Sequence, residues 1–124
     1  MERFMQIREK AYKYIIKSNY LEVKAALKKK DGDVETYFGF DRNTGTSTNF
    51  AKLSTKYQIP LIVSNQIAKR RLKEKFPKAI IYSADEELKG RRFNQIFVDV
   101  NYTEQMSYIR ESVIFNRAYI NISK

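Results

Sequence analysis

Residues 40 to 48, Phe40-Asp41-Arg42-Asn43-Thr44-Gly45-Thr46-Ser47-Thr48, combine small polar side chains, one glycine and three consecutive hydroxyls. That chemistry suits an anion, because glycine lets backbone N–H groups approach a phosphate and a serine hydroxyl can hold a magnesium ion. The pattern GxxxxGK[ST] does this with a lysine to reach the outer phosphates. Gly45 and Ser47 match the pattern, Thr46 stands at the lysine position, and Phe40 stands at the first glycine position, with Gly39 one residue early. Asp41 places a negative charge inside the loop, while Arg42 beside it offers a cation, as does Lys52 further on. Thr46, Ser47 and Thr48 equally suit plain capping of a helix start, where small hydroxyl residues satisfy orphan N–H groups.

Such a loop needs a strand before it and a helix after it. Residues 34–40 are apolar and aromatic enough for a strand, and residues 47–57 carry a helical pattern. Downstream, 59–63 forms a short buried strand with Pro60 at its start, 65–75 a helix stopped by Pro77, and 79–82 a strand. Residues 85–89 form a short helix ended by Gly90, and 96–99 another strand. Asn101 with Glu104 then caps a helix carrying Met106, Ile109 and Val113, and 118–122 is the last strand. Short apolar strands alternating with helices predict an α/β fold, a parallel sheet with helices on both faces in three layers. Upstream, Phe4, Ile7, Ala11, Tyr14 and Ile15 fall at helical spacing. Asn19 with Glu22 then suggests a second helix running to the lysines 28–30 and Gly32. A hairpin using Leu21, Val23, Ala25 and Leu27 and turning at Asp31-Gly32 is the alternative. The organisation is one domain, 1–124, with 1–33 as an N-terminal helical extension and 34–124 as the core.

Composition narrows the chemistry. With no cysteine and no histidine among 124 residues, thiol nucleophiles, imidazole bases and the usual zinc sites are excluded. No metal site is expected. A formal net charge of +10 points to nucleic acid or an acidic protein surface as partner, although solubility alone would account for it. The absence of a long apolar run and of a leader-like N-terminus predicts a cytoplasmic protein that does not enter a membrane.

Taken in order, the loop at 40–48, the strand at 59–63, the strand at 79–82 and Arg91-Arg92-Phe93-Asn94-Gln95-Ile96-Phe97-Val98-Asp99 resemble the first half of a helicase-type P-loop NTPase core, small viral versions above all. The resemblance spans residues 34–101. It implies that Gly45 admits the phosphates, that Ser47 touches magnesium and that Asp99 holds that ion through water. Two departures stand out: Thr46 replaces the phosphate-binding lysine, and Val100 and Asn101 occupy the place of the water-activating glutamate. The phosphate-facing set is therefore Arg42, Gly45, Thr46, Ser47, Thr48 and Asp99, with no catalytic residue assigned and no cofactor required.

The resemblance also puts nucleic-acid contacts near the helix after the second strand. Lys69, Arg70, Arg71 and Lys73, with Arg91 and Arg92, are the candidates, against the simpler view that they form a solvated face. The expectation is a non-catalytic, viral or mobile-element protein on a degenerate P-loop scaffold. It engages nucleic acid or a host nucleic-acid-processing protein, with inhibition as one mode. The alternative is an NTPase that binds ATP and magnesium through a non-standard loop.

Overall fold

The computed structural model of the chain describes residues 2–29, 32–41 and 45–122, with the side chains of residues 2–8 excepted. The element order is α1 (Glu2–Leu27), β1 (Glu35–Phe38), α2 (Thr46–Tyr57), β2 (Leu61–Val63), α3 (Gln66–Lys75), β3 (Ile81–Ser83), β4 (Arg92–Val100), α4 (Thr103–Ser112) and β5 (Ile114–Ile122). The five strands form one sheet in the order β1-β5-β4-β2-β3. Every pairing is parallel, so the α/β class with a parallel sheet holds.

Side chains alternate across the strands and feed two cores. On one face Leu61, Val63, Ile81, Phe97 and Tyr119 pack with Phe50 and Leu53 of α2, Leu72 of α3 and Val23 of α1. On the other, Ile62, Ile96, Val98, Val100, Ala118 and Ile120 pack with Met106 and Ile109 of α4 and with Leu88. Right-handed crossovers explain the division. Helices α2 and α3 carry the chain toward β3, α4 carries it back toward β1, and opposite directions of travel put the connections on opposite faces.

Several boundaries differ from the sequence expectation, each for a local reason. There is no break at Asn19, and Leu21 to Leu27, the first arm of the alternative hairpin, are helical, since α1 runs unbroken for 26 residues; Asp31 of the expected turn lies outside the described residues. The stretch from 2 to 31 has no glycine or proline, and an interior asparagine costs only about 0.7 kcal/mol relative to alanine. Seating Val23 and Leu27 against the core outweighs that. So among the described residues a single helix precedes β1, not several.

Residues 85–89 do not form a helix either. Glu86 accepts the Ser83 N–H at 2.6 Å, Asp85 accepts the Ser83 hydroxyl at 2.5 Å and Glu87 accepts the Lys89 N–H at 3.0 Å, so local side chains compete for the groups a helix would use. Strands β4 and β5 each extend for nine residues because their amino halves pair with one another, Arg92 with Ile114 and Phe93 with Phe115. The cap of α4 is Tyr102 without a side-chain bond, not Asn101, whose N–H goes instead to the Ser64 hydroxyl at 2.8 Å.

Edge strand β1 is fastened to α4 by a charged cluster. Arg110 Nη2 lies 2.8 Å from Glu35 Oε1, and Tyr37 bridges both. The Arg110 hydrogen bonds hold the Glu35 carboxyl below the usual glutamate range; partial burial opposes this, and the Tyr37 hydroxyl adds to it. A depressed folded pKa means this contribution is present above the unfolded value, about 4.3, and is lost as pH falls through the folded one. Acid titration of wild type and Glu35→Gln should therefore show the two stabilities converging below about pH 4 and separating above it. Equal separation at all pH would contradict the assignment.

Among the described residues, no helix is long and apolar enough to cross a membrane.

Candidate phosphate site

All the sequence-nominated phosphate residues within the described chain lie at the carboxyl edge of the sheet, where open α/β folds bind their ligands. Strand β1 ends at Phe38, and the chain turns through Gly39, Phe40 and Asp41. Arg42, with Asn43 and Thr44, lies outside the described residues. Gly45 then opens α2 in the left-handed conformation, φ 73° and ψ 23°, and its carbonyl accepts the Asn49 N–H at 2.8 Å.

Its N-cap, Gly45, has no side chain with which to bond the first turn, and that turn carries no acidic residue. The partial positive charge of the helix start is thus not offset by a carboxylate of its own first turn.

Gly45 is required twice over. A side chain there would sit in a region costly for L-residues, and a Cβ would come within 3.2 Å of Ile16 on α1. Gly45→Ala should cost about 1–2 kcal/mol in urea unfolding. Adding Ile16→Ala should relieve only the steric part and leave the backbone part; full recovery in the double variant would show that the φ angle carries no strain.

The Ser47 hydroxyl donates to Asp99 Oδ2, joining the first turn of α2 to the end of β4 across 52 residues of sequence. Asp99 is only 9% exposed. In register it stands beside Val63 of β2 and Asn121 of β5, and Asn121 in turn stands beside Phe38 of β1. The carboxyl edge is tied together by further polar bonds. Asn121 Oδ1 accepts the Phe40 N–H at 3.0 Å, fixing the exit from β1. Ser64 donates to Gln105 Oε1 at 3.0 Å, and Gln105 Nε2 returns a bond to the Ser64 carbonyl at 3.1 Å. Those bonds fix the exits of β2 and β4.

Thr46, at the lysine position, is nearly buried. Val100 is fully buried in the α4-side core, so the residue after Asp99 presents no polar group to this edge. Thr48 is half-buried in the same first turn. Lys52 lies beside α1, in a groove with Lys13 and Lys17.

The six basic candidates do not share one environment. Lys69 Nζ pairs with Glu86 at 2.9 Å. Burial works to raise the Glu86 carboxyl, but the Lys69 ammonium and the Ser83 N–H outweigh it and hold it low. Lys73 Nζ donates to the Ala79 carbonyl at 2.6 Å. Arg91 lies with its guanidinium carbon 4.8 Å from the centre of the Tyr82 ring. Arg70 and Arg71 are exposed on α3, and Arg92 is exposed at the amino end of β4, the edge opposite the loop.

Sequence reasoning missed Asn121, Ser64 and Gln105. The signal for Asn121 was a polar residue interrupting the apolar run 118–122 at the same register as Asp99; Gln105 carried none.

Comparison of the chain with protein-family models, with curated proteins and with solved structures returns no match.

Proposed function

We propose that this chain is a non-catalytic binding protein on a degenerate P-loop scaffold, acting on nucleic acid or on a protein that handles it. One observation carries the reading: a left-handed glycine opens α2, whose Ser47 hydroxyl meets the Asp99 carboxylate of a separate strand, with Thr46 and Val100 where lysine and glutamate would complete the chemistry.

The residues fit a magnesium-nucleotide only in part. A hydroxyl and a carboxylate oxygen are what magnesium takes from a protein, and Ser47 and Asp99 would hold it. Magnesium there would neutralise charge on bound phosphates. Nothing at position 46 neutralises the outer phosphates, however, and Val100 cannot orient or deprotonate water. Loss of a single preorganised electrostatic group commonly costs roughly 10²–10³ in rate, and here two groups are replaced. The scaffold then serves for binding, and the high positive charge of the chain selects polyanions or proteins that carry them.

Steady-state phosphate release by the pure protein with magnesium-ATP tests the reading. Release should stay at the blank rate, with and without added single-stranded DNA. Sustained magnesium-dependent turnover would replace this function with the NTPase alternative.

A further inference from the structure

Helix α1 carries a row of lysines whose side chains have no partner among the described residues. At 100° per residue, Lys10, Lys13, Lys17 and Lys24 fall within an arc of about 60° and run for about 21 Å along the helix. Lys28 continues the row just past its end. None of the five side chains makes a hydrogen bond or ion pair with the described residues. Glu9 borders the first turn of the row and Glu22 lies on another face. By contrast Lys69 and Lys73 of α3 are spent on Glu86 and on backbone carbonyls.

Beside the row, α1 and α2 enclose a groove of about 480 Å³. Lys13 and Lys17 stand on one side, Lys52 on the other, and Ile16 and Tyr20 give it an apolar lining. The Asn49 side-chain amide donates to the Ile16 carbonyl at 3.0 Å and holds the helices in place. At one end, Ile16 sits against Gly45, so the groove begins at the positive start of α2. Tyr14 projects from α1 one turn from Lys10 and Lys17 and is 75% exposed.

We infer that the α1–α2 groove and the lysine row beside it bind single-stranded nucleic acid, the lysines following phosphates and the tyrosines offering stacking faces. The inference rests on the proposed polyanion partner but not on whether the Ser47–Asp99 end accepts a nucleotide. Unpaired cations spaced along a helix release counterions without first breaking internal ion pairs. Exposed aromatic rings alongside them favour a strand whose bases are free to stack. A duplex would leave the rings without partners.

Fluorescence anisotropy with labelled oligo-dT and oligo-U, across a salt series, decides the matter. Wild type should bind with a steep salt dependence, and more tightly than it binds a duplex of equal length. The triple variant Lys13→Gln/Lys17→Gln/Lys52→Gln should flatten the log–log slope by about 2 units and weaken binding about 100-fold at 0.1 M salt, taking roughly 0.7 per phosphate contact. Lys52→Gln alone, a single exposed change, should flatten it by about 0.7 and serves if the triple variant folds poorly. Tyr14→Ala should weaken binding about five-fold or more, while Lys75→Gln/Lys78→Gln, exposed lysines outside the row and the groove, should leave the slope as it was.

No binding at 50 mM salt, or a slope unchanged by the α1–α2 variants, overturns the inference. So does tighter binding of duplex with Tyr14→Ala silent. Polyglutamate competing as well as oligo-U would assign the groove to an acidic protein instead. Phosphate release is unaffected by any of these outcomes, so the two proposals fail separately.

Discussion

Replacing Phe50 with alanine should lower the unfolding free energy by about 3–5 kcal/mol, among the largest single-residue effects expected in this chain. The ring is fully buried and stacks on Phe97 with centroids 5.1 Å apart and planes 14° from parallel. Phe38 packs on it from β1 at 6.3 Å, and Phe40 stacks on Phe38 at 5.1 Å. A small domain has only about 5–15 kcal/mol in total, so the loss is a large fraction of it. The position matters as much as the volume. Phe50 lies one turn beyond Ser47 on α2, and Phe97 lies two residues before Asp99 on β4, so this stack fixes the helix start against the carboxylate. Urea unfolding of Phe50→Ala gives the magnitude, and Phe50→Leu should recover much of it by refilling the volume. A loss under about 1 kcal/mol would mean that the core closes around the missing ring and that some other contact positions α2.

The second large effect is a gain. Thr46→Lys supplies the cation that the proposed phosphate loop lacks, next to a serine and a carboxylate already in contact. Magnesium-ATP should then raise the melting temperature of this variant. At 100 times its dissociation constant a ligand adds about 2.7 kcal/mol, or on the order of 10 °C for a domain of this size. The nucleotide-free variant is its own reference, so any cost of placing lysine at a nearly buried position cancels. Ser47→Ala added to Thr46→Lys should reduce the gain, because it removes the hydroxyl that faces Asp99. No shift in Thr46→Lys would show that the loop backbone itself does not cradle phosphate, and a degenerate P-loop would no longer describe it.

The alternation of short apolar stretches with helical ones made the parallel α/β sheet legible, because central parallel strands such as β2 are buried on both faces and read as apolar runs. The longer β4 and β5 were only half legible. Their amino halves, Arg92-Phe93-Asn94-Gln95 and Ile114-Phe115-Asn116-Arg117, form neither an apolar run nor a polar–apolar alternation, and what makes them strands is their pairing with one another, which no local pattern announces. At the carboxyl edge, Ser47 and Asp99 were named from motif spacing, and the fold brings their side chains into contact. The basic residues were harder to judge. A sequence shows that Lys69 and Lys73 are charged; it does not show that Glu86 and the Ala79 carbonyl, reached only through the β3 crossover, engage them. The same blindness hid the α1 lysines, since their importance comes from lacking such partners and from lying beside α2.

The measurement that bears most directly on the central claim is the melting temperature of the unaltered protein with and without saturating magnesium-ATP. The proposed degenerate phosphate site, its cation and its water-activating carboxylate replaced, predicts no change beyond experimental scatter. A rise of several degrees that depends on magnesium and is abolished by Asp99→Asn would contradict it.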